Sequence, residues 1–328
     1  MAARSRVLAV VALAAAAAVA ATVGVTLLQT RGEHTSAPNG AVTKPRPGAP
    51  PLELDFGVRT DPEARALAAA ATLYNAGKRT RAAAVFARYH SLEAEIGAAF
   101  AAWPKGGLDT LKHLVATHPA SALAELHLGW AYYWSGRRAD AVAAWNQAEK
   151  VEPDSPAAVS AEDVLHSSTM PAGLPFIVTT LKPAAAVTSL AAAPELAALG
   201  RAAARPDANA KILYGIALWN LRRPVSAEQQ FVAAAALAPH DPMAQTAAAV
   251  GAFTKDDPVR AFGRLGPLTA VFPRSVVVRF HLGVLLLWTH SFAKARAQLR
   301  LAVADGPGTV YARQATKLLS ALKTGGTK

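Results

Sequence analysis

The side chains that usually carry out catalysis or bind metals show no organised spacing in this sequence. None of the nine histidines stands in a His-Glu-x-x-His arrangement, which would place two imidazoles on one helix face around a metal ion. His113 and His118 are five residues apart, a spacing that fits one helix face poorly. The chain has no cysteine, and Ser291 and Lys294 match a Ser-x-x-Lys pattern without its companion motifs. We therefore predict no enzymatic activity, no cofactor and no metal site.

A repeat of 34 residues predicts the elements that position the remaining side chains. The chain has 328 residues and is 52% apolar, so it is long enough for two domains or an array of repeats with a packed core. Five prolines fall on the repeat: Pro119, Pro153, Pro239, Pro273 and Pro307. A small residue lies twelve positions before each of them: Gly107, Ala141, Ala227, Ala261 and Ala295. A large apolar residue lies eight positions before each: Leu111, Trp145, Phe231, Leu265 and Leu299. This pattern predicts helix pairs that approach closely at the small residue and end at the proline.

The pattern resembles the tetratricopeptide repeat family, whose helix–turn–helix carries Leu-Gly-x-x-Tyr, then Ala-x-x-x-Phe, then Pro. The best copy has Leu128-Gly129-x-x-Tyr132, Ala141-x-x-x-Trp145 and Pro153. The other copies are 88–121, 208–241, 242–275 and 276–309, with a partial pair at 62–90 and a closing helix at 310–322. The resemblance implies an all-α fold, a helix–turn–helix solenoid.

The array is interrupted once, because one repeat between Pro153 and Pro239 is 18 residues longer than the period. We predict helices at 157–166 and 194–204 on either side of an insertion, and so a first half of the array over 62–166, an insertion loop over 167–190 and a second half over 191–323. The insertion contains a proline-flanked, β-branched run at 174–180, which predicts an extended conformation. Two interpretations remain open: a functional loop, or a cover over apolar helix surface.

The amino terminus predicts a segment that meets a membrane. Residues 7–28 contain no charge and no proline, and as a helix they would be about 33 Å long, enough to cross a hydrocarbon layer of about 30 Å. We predict that residues 1–28 form a single transmembrane helix in the plasma membrane, with the rest outside the cytoplasm. The alternative is a signal peptide cleaved near Ala18-Val19-Ala20, which would give a secreted protein. Residues 29–61 are rich in Pro and Gly and predict an extended linker.

The family resemblance also implies candidate binding residues, because the first helices of such repeats line a concave face. The residues in question are Phe100, Trp130, Tyr133, Trp134, Ile212, Ile216, Trp219, Phe253, Phe280 and Trp288. One hypothesis is an aromatic-lined groove for an extended peptide or a partner helix. The other is that these side chains are ordinary core. Of the Lys, Asn and Arg residues with which some relatives clamp a peptide carboxyl terminus, only Asn220 is present at such a place, so that mode of binding is not predicted.

The positive charge of the chain, +12 in all, is concentrated in its second half. Residues 201–328 contain 17 basic and 6 acidic side chains. Basic pairs also recur where the hairpins turn, as Lys78 and Arg79, Arg137 and Arg138, and Arg222 and Arg223. These pairs predict a basic edge, either an attractive surface for anionic lipid or wall polymer or a solubilising face.

Together these patterns predict a non-catalytic protein–protein interaction scaffold of the bacterial cell envelope, which binds a peptide or partner helix in an apolar concave groove. The alternative is a basic module that binds anionic lipid or wall polymer through residues 201–328. No nucleic acid partner is predicted, because no recognition module accompanies the charge. The sequence predicts neither the identity of the partner nor the oligomeric state.

Overall fold

The computed structural model describes residues 44–324. The predicted membrane or signal segment, residues 1–28, and the first part of the predicted linker lie outside these residues. Within 44–324 the chain forms sixteen α-helices and no β-strand, so the all-α prediction is confirmed. The described residues fall into two compact units, which we call the N-terminal unit, 44–165, and the C-terminal unit, 166–324.

The N-terminal unit contains seven helices. They are α1 Pro62–Asn75, α2 Arg79–Phe86, α3 Leu92–Ala101, α4 Gly107–Thr117, α5 Ala122–Trp134, α6 Arg138–Val151 and α7 Pro156–Leu165. The pairs α1 with α2, α3 with α4, and α5 with α6 are the hairpins of the partial repeat and of repeats 88–121 and 122–155.

The C-terminal unit contains nine helices. They are α8 Ala185–Thr188, α9 Ala192–Ala203, α10 Ala208–Asn220, α11 Pro224–Leu237, α12 Pro242–Gly251, α13 Pro258–Val271, α14 Val276–Trp288, α15 Phe292–Asp305 and α16 Val310–Thr324. Three hairpins, α10 with α11, α12 with α13 and α14 with α15, correspond to the three repeats predicted from 208 onward, and α16 is the predicted closing helix.

The five marked prolines end helices as predicted. Helices α4, α6, α11, α13 and α15 each end two residues before their proline, where a residue without an N–H group cannot continue the helix. At the opposite ends, short polar side chains cap the first helices. Ser121, Asp207 and Ser275, for example, each accept a hydrogen bond from the backbone N–H three residues later. The length of each hairpin is therefore set by a local signal at both ends.

The predicted close approach of small and large residues is present within the hairpins. The ten small and large residues that precede the five prolines are all buried. A Cβ atom added to Gly129 would lie 2.3 Å from Nε1 of Trp145, and one added to Gly215 would lie 2.5 Å from the ring of Phe231. A larger residue at either glycine would therefore push the two helices of its hairpin apart.

The interruption of the repeat lies where it was predicted. Helices α7 and α9 correspond to the helices predicted at 157–166 and 194–204, and between them only the four-residue α8 is helical. None of the helices in residues 44–324 has the length and apolar character needed to span a membrane.

Candidate functional site

A non-helical segment near the start of the N-terminal unit packs against the first helices of its hairpins. We call residues 48–56 the first strap. Pro50 and Leu52 are buried, whereas Glu53 and Asp55 are exposed, and this alternation with a period of two indicates an extended chain. Leu52 belongs to the core cluster that also contains Tyr74 and Phe100. The first strap is therefore part of the folded unit: the linker predicted over 29–61 is extended here, but it is packed against the helices and is not a free spacer.

Three side chains on first helices bind the backbone of the first strap. The hydroxyl of Tyr74 donates to the carbonyl oxygen of Pro50 at 2.7 Å. The amide of Asn75 accepts from the N–H of Leu52 at 3.2 Å and donates to its carbonyl oxygen at 2.9 Å. The N–H of Glu53 donates to Nε2 of His127 at 3.3 Å. The side chains on the helices thus bind the main chain of Pro50, Leu52 and Glu53, and these hydrogen bonds do not involve the strap side chains.

The tautomer of His127 follows from its two hydrogen bonds. Its Nδ1 lies 2.7 Å from the carbonyl oxygen of Leu123, which can only accept, so Nδ1 carries the proton and Nε2 has a free lone pair for the strap. The ring is fully buried, and this burial lowers the pKa of His127 to about 4. Burial also raises the pKa of Tyr74 to about 12, so its hydroxyl remains a donor at neutral pH. Both groups are held in the protonation state that binds the strap.

The C-terminal unit contains an equivalent segment, residues 173–181, which we call the second strap. The carbonyl oxygen of Pro175 accepts from Nε1 of Trp219 at 2.7 Å, and the N–H of Val178 donates to Nε2 of His281 at 3.0 Å. Ile177 is as deeply buried as Leu52, each with 2% of its surface exposed. His281 has the tautomer of His127, because its Nδ1 lies 2.8 Å from the carbonyl oxygen of Val277, and burial lowers its pKa to about 4.

The two straps and their histidines share a pattern that the sequence analysis missed. Gly48-Ala-Pro50-Pro-Leu52 and Gly173-Leu-Pro175-Phe-Ile177 have the same spacing, and both glycines have a positive φ, 81° and 84°. Each strap-binding histidine is the sixth residue of its repeat and is followed by Leu-Gly, at 127–129 and 281–283. A search for pairs of identical short patterns would have found both signals. The histidines were overlooked because no two of them have metal-ligand spacing.

Seven of the ten candidate groove residues lie in the core. Phe100, Ile212, Ile216, Trp219, Phe253, Phe280 and Trp288 are all buried. In the C-terminal unit the second strap contributes to this burial. Ile177 joins the cluster that contains Ile212 and Trp219, and the ring of Phe176 lies 6.0 Å from that of Phe280. For these seven residues the interpretation as core is correct, and they do not line an open groove.

The other three candidates, Trp130, Tyr133 and Trp134, form a half-buried aromatic cluster on α5. Their rings lie about edge to face, with centroids 5.8–6.3 Å apart. Arg46 lies two residues before the first strap. Its guanidinium carbon is 4.1 Å from the ring centroid of Tyr133, and its backbone N–H donates to the carbonyl oxygen of Trp134 at 2.8 Å. The buried Nε1 atoms of Trp130 and Trp134 have no hydrogen-bond partner within residues 44–324. The cluster therefore combines half-buried aromatic rings, a bound cation and two buried N–H groups without an acceptor in residues 44–324.

The six residues of the predicted basic edge divide into two groups. Lys78, Arg138 and Arg223 are exposed, whereas Arg79, Arg137 and Arg222 are half-buried. Arg79 donates to the carbonyl oxygens of Ala101 and Trp103, and Arg137 pairs with Asp140 at 2.7 Å. Arg79 and Arg137 thus bind groups of their own unit. The hairpin turns therefore expose fewer cations to solvent than predicted.

The described residues contain no group of three or more His, Asp or Glu side chains that would hold a metal ion. The insertion predicted at 167–190 contributes the second strap, so part of it covers apolar helix surface, as one of the two interpretations held. Its β-branched run, predicted to be extended, is neither helical nor paired in a sheet.

The helix bounds, the proline stops and the glycine contacts give the hairpins the fold of the tetratricopeptide repeat. No family model and no curated protein matches the chain. Among solved structures it is similar to yeast Tom70, with 10% identity and a TM-score of 0.34 over 86% of this chain and 67% of that one. It is also similar to the TPR2AB domain of yeast Sti1 in complex with pHSP90, with 14% identity and a TM-score of 0.31 over 80% and 98%. A third similarity is to the C-terminal part of a TPR repeat-containing protein from Cytophaga hutchinsonii, with 14% identity and a TM-score of 0.29 over 76% and 98%.

Proposed function

We propose that this protein is a non-catalytic scaffold of the bacterial cell envelope, which binds other proteins through extended segments laid along the first helices of a unit. One observation supports this function above the others: each unit already holds a segment of its own chain in that place. Each segment is bound through main-chain hydrogen bonds and one buried Leu or Ile. A surface that holds an extended chain in this way has the donors, acceptors and apolar pocket that a peptide ligand requires.

The chemistry of the strap-binding side chains supports binding rather than catalysis. His127 and His281 each use both ring nitrogens in hydrogen bonds to the backbone, and their lowered pKa keeps them neutral at pH 7. A general base needs a lone pair that reaches a substrate proton, whereas these lone pairs accept from amide N–H groups. The histidines therefore act as fixed hydrogen-bond acceptors.

The envelope location of the proposed scaffold depends on residues 7–28, which we propose to be a membrane anchor or, alternatively, a cleaved signal. Either route places the repeats outside the cytoplasm. Fractionation of cells followed by detection of an epitope at the C-terminus separates the two, because an anchored chain stays with the membrane at high salt and a cleaved one is released.

Site-specific photo-crosslinking in living cells tests the scaffold function. A benzophenone amino acid in place of Trp134 lies in the half-buried aromatic cluster, whereas the same group in place of Val259, which is 72% exposed on a second helix, is a matched control. We expect one partner protein to be attached at position 134 and absent at position 259, and mass spectrometry identifies the attached partner peptide. Equal labelling at both positions, or none at position 134, would contradict the proposed function.

The basic C-terminal half favours a second candidate, the binding of anionic lipid or wall polymer. Lys294 and Arg300 on α15 and Arg313 and Lys317 on α16 are all exposed. Binding through such cations weakens steeply with salt, whereas binding in an apolar groove does not. Sedimentation with anionic vesicles at low and high salt therefore distinguishes the two candidates.

A further inference from the structure

The two straps differ at most positions and yet are bound in the same way. Their shared residues are a glycine with positive φ, a proline two positions later and a buried Leu or Ile two positions after that. The residues between them differ in size: Ala49 against Leu174, and Pro51 against Phe176. The first-helix face therefore recognises a pattern of three residues and a main-chain path, and not one particular sequence.

The first strap is bound through main-chain groups and through apolar side chains. Four hydrogen bonds join its backbone to the helices, two to Asn75 and one each to Tyr74 and His127, and Leu52, Ala49, Leu54 and Phe56 pack against the core of the unit. Another segment with the same path recovers all of these bonds, because every polypeptide supplies the same backbone groups. The second strap is bound by Trp219 and His281 in the same manner. Four partly buried side chains of the strap join Ile177 against the core: Leu174, Phe176, Val178 and Leu181.

A second observation also points to the N-terminal unit. The indole N–H groups of Trp130 and Trp134 are buried without an acceptor in the described chain, although buried polar groups are normally paired. They lie in the aromatic cluster beside Arg46, at the end of the strap site. These two donors are thus unpaired while the resident segment is bound, and a different segment that replaces the groups covering them with a carbonyl or side-chain acceptor would pair them.

We propose that the first-helix face of the N-terminal unit is a binding site for an extended segment of a partner protein with the pattern Gly-x-Pro-x-Leu or Gly-x-Pro-x-Ile, and that this segment replaces the first strap. A basic residue two positions before the glycine, in the place of Arg46, completes the ligand by its contact with Tyr133. This inference rests on the proposed scaffold function and adds the class of ligand and the competing resident segment.

Peptide binding to the full chain tests this inference. The probe is a fluorescein-labelled peptide with the sequence of residues 45–56, and its affinity is measured by anisotropy. The resident strap is tethered and therefore present at high effective concentration, so the wild-type chain binds the probe weakly. The variant Leu52→Asp places a carboxylate at a position that is 2% exposed, which displaces the strap from its site. We expect this variant to bind the probe at least tenfold more tightly than the wild type.

Three controls restrict the interpretation to the strap site. Asp55→Asn changes an exposed side chain of the same strap that contacts none of the strap-binding residues, and it leaves the probe affinity at the wild-type value. The double variant Leu52→Asp with His127→Phe lacks the acceptor for the strap N–H. We expect it to bind the probe at least fivefold more weakly than Leu52→Asp alone. An unlabelled peptide with the sequence of residues 170–181 competes with the probe. An unlabelled peptide of residues 45–56 with Asp in place of Leu52 does not compete.

Each outcome decides the inference. If Leu52→Asp retains its helical circular dichroism and gains no affinity for the probe, the inference is overturned. If that variant unfolds, Leu52→Ala replaces it, with an expected gain of at least threefold and the same consequence if the gain is absent. A wild-type dimer that dissociates in Leu52→Asp would identify the occupant as a second copy and also overturn the partner assignment. Loss of probe binding with intact photo-crosslinking at position 134 would remove this inference and leave the proposed function standing.

Discussion

The two units hold equivalent straps with different sets of hydrogen-bonding side chains. In the N-terminal unit Asn75 binds the N–H and carbonyl of Leu52, whereas the buried Nδ2 of Asn220, which follows Trp219 as Asn75 follows Tyr74, has no partner in the described chain. In both units apolar strap residues pack on the core, Leu52 and Phe56 in one and Ile177 and Phe176 in the other. A shared main-chain path is therefore compatible with different hydrogen-bond partners.

The difference extends to the aromatic side chains of the first helices. Trp130, Tyr133 and Trp134 are half-buried in the N-terminal unit, whereas Trp219 and Trp288 are buried in the C-terminal unit. The aromatic residues of the first helices thus form a partly accessible cluster in one unit and part of the core in the other. We infer that the N-terminal unit is the one adapted to exchange its strap and that the C-terminal unit is the one adapted to stability.

The largest expected effect is the removal of a core ring from the C-terminal unit. Phe280 is fully buried and its ring lies within about 6 Å of the rings of Phe176, His281 and Tyr311. We expect Phe280→Ala to destabilise that unit by about 3–5 kcal/mol, through lost burial and the cavity that remains. Trp134→Ala, at a half-buried position of the N-terminal unit, should cost about 1 kcal/mol. Hydrogen exchange resolved by peptide measures each unit separately, and equal losses would contradict the contrast between them.

Acid should weaken both units through their strap-binding histidines. The pKa of His127 and of His281 is about 4 in the folded protein against an ordinary value of 6.5, so below pH 6.5 the unfolded chain binds protons that the folded chain excludes. Each histidine should therefore reduce the free energy of unfolding by about 3 kcal/mol as the pH falls from 6.5 to 4, with little further change below. Glu125 acts in the opposite direction in the N-terminal unit, because burial raises its pKa.

Hydrogen exchange at pH 7, 5.5 and 4.5 measures this dependence in each unit. His281→Gln removes the titrating group from the C-terminal unit alone, so the acid sensitivity of that unit should decrease while that of the N-terminal unit is unchanged. An unchanged sensitivity in the variant would show that other groups are responsible.

The paired asparagines provide a sharper comparison of the two straps. Asn75→Ala removes both hydrogen bonds to Leu52, and we expect a loss of about 1–2 kcal/mol in the protection of the first strap. Asn220→Ala removes a buried donor that has no partner in residues 44–324, so its effect on the second strap should be close to zero. Amide exchange at Leu52 and Ile177 is the measurement. A larger loss for Asn220→Ala than for Asn75→Ala would contradict the proposed difference in anchoring.

The helices were predictable because each depends on local signals that recur with a fixed period. The small residue, the large apolar residue four positions later and the proline that ends the helix act within one hairpin, and five copies in phase made chance agreement improbable. Helix α16 was predicted from the same periodicity, continued past Pro307.

The straps were not predictable by the same reasoning, because their structure comes from contacts with distant residues. Glu53 binds His127 and Val178 binds His281, partners that are 74 and 103 residues away. The prolines and the glycine around position 50 indicate only that the segment is not helical. A free linker and a docked strap share that property. The same limitation applies to the aromatic stripe, because whether Trp219 is groove or core depends on the strap that covers it.

The smallest expected effect concerns the cation that precedes the first strap. The guanidinium of Arg46 lies over Tyr133 and donates to its hydroxyl at 2.5 Å, but the side chain is exposed, so we expect Arg46→Ala to reduce the protection of the strap amides by about 0.5–1 kcal/mol. Lys44→Ala, an exposed cation in the same segment, is the control and should have no measurable effect. The second strap has Pro171 at the equivalent place and so lacks this contact, which means that Arg46 affects only the N-terminal unit. If Arg46→Ala leaves the exchange of Leu52 and Glu53 unchanged, the cation does not help to hold the strap, and the basic position should be removed from the ligand pattern proposed for its replacement.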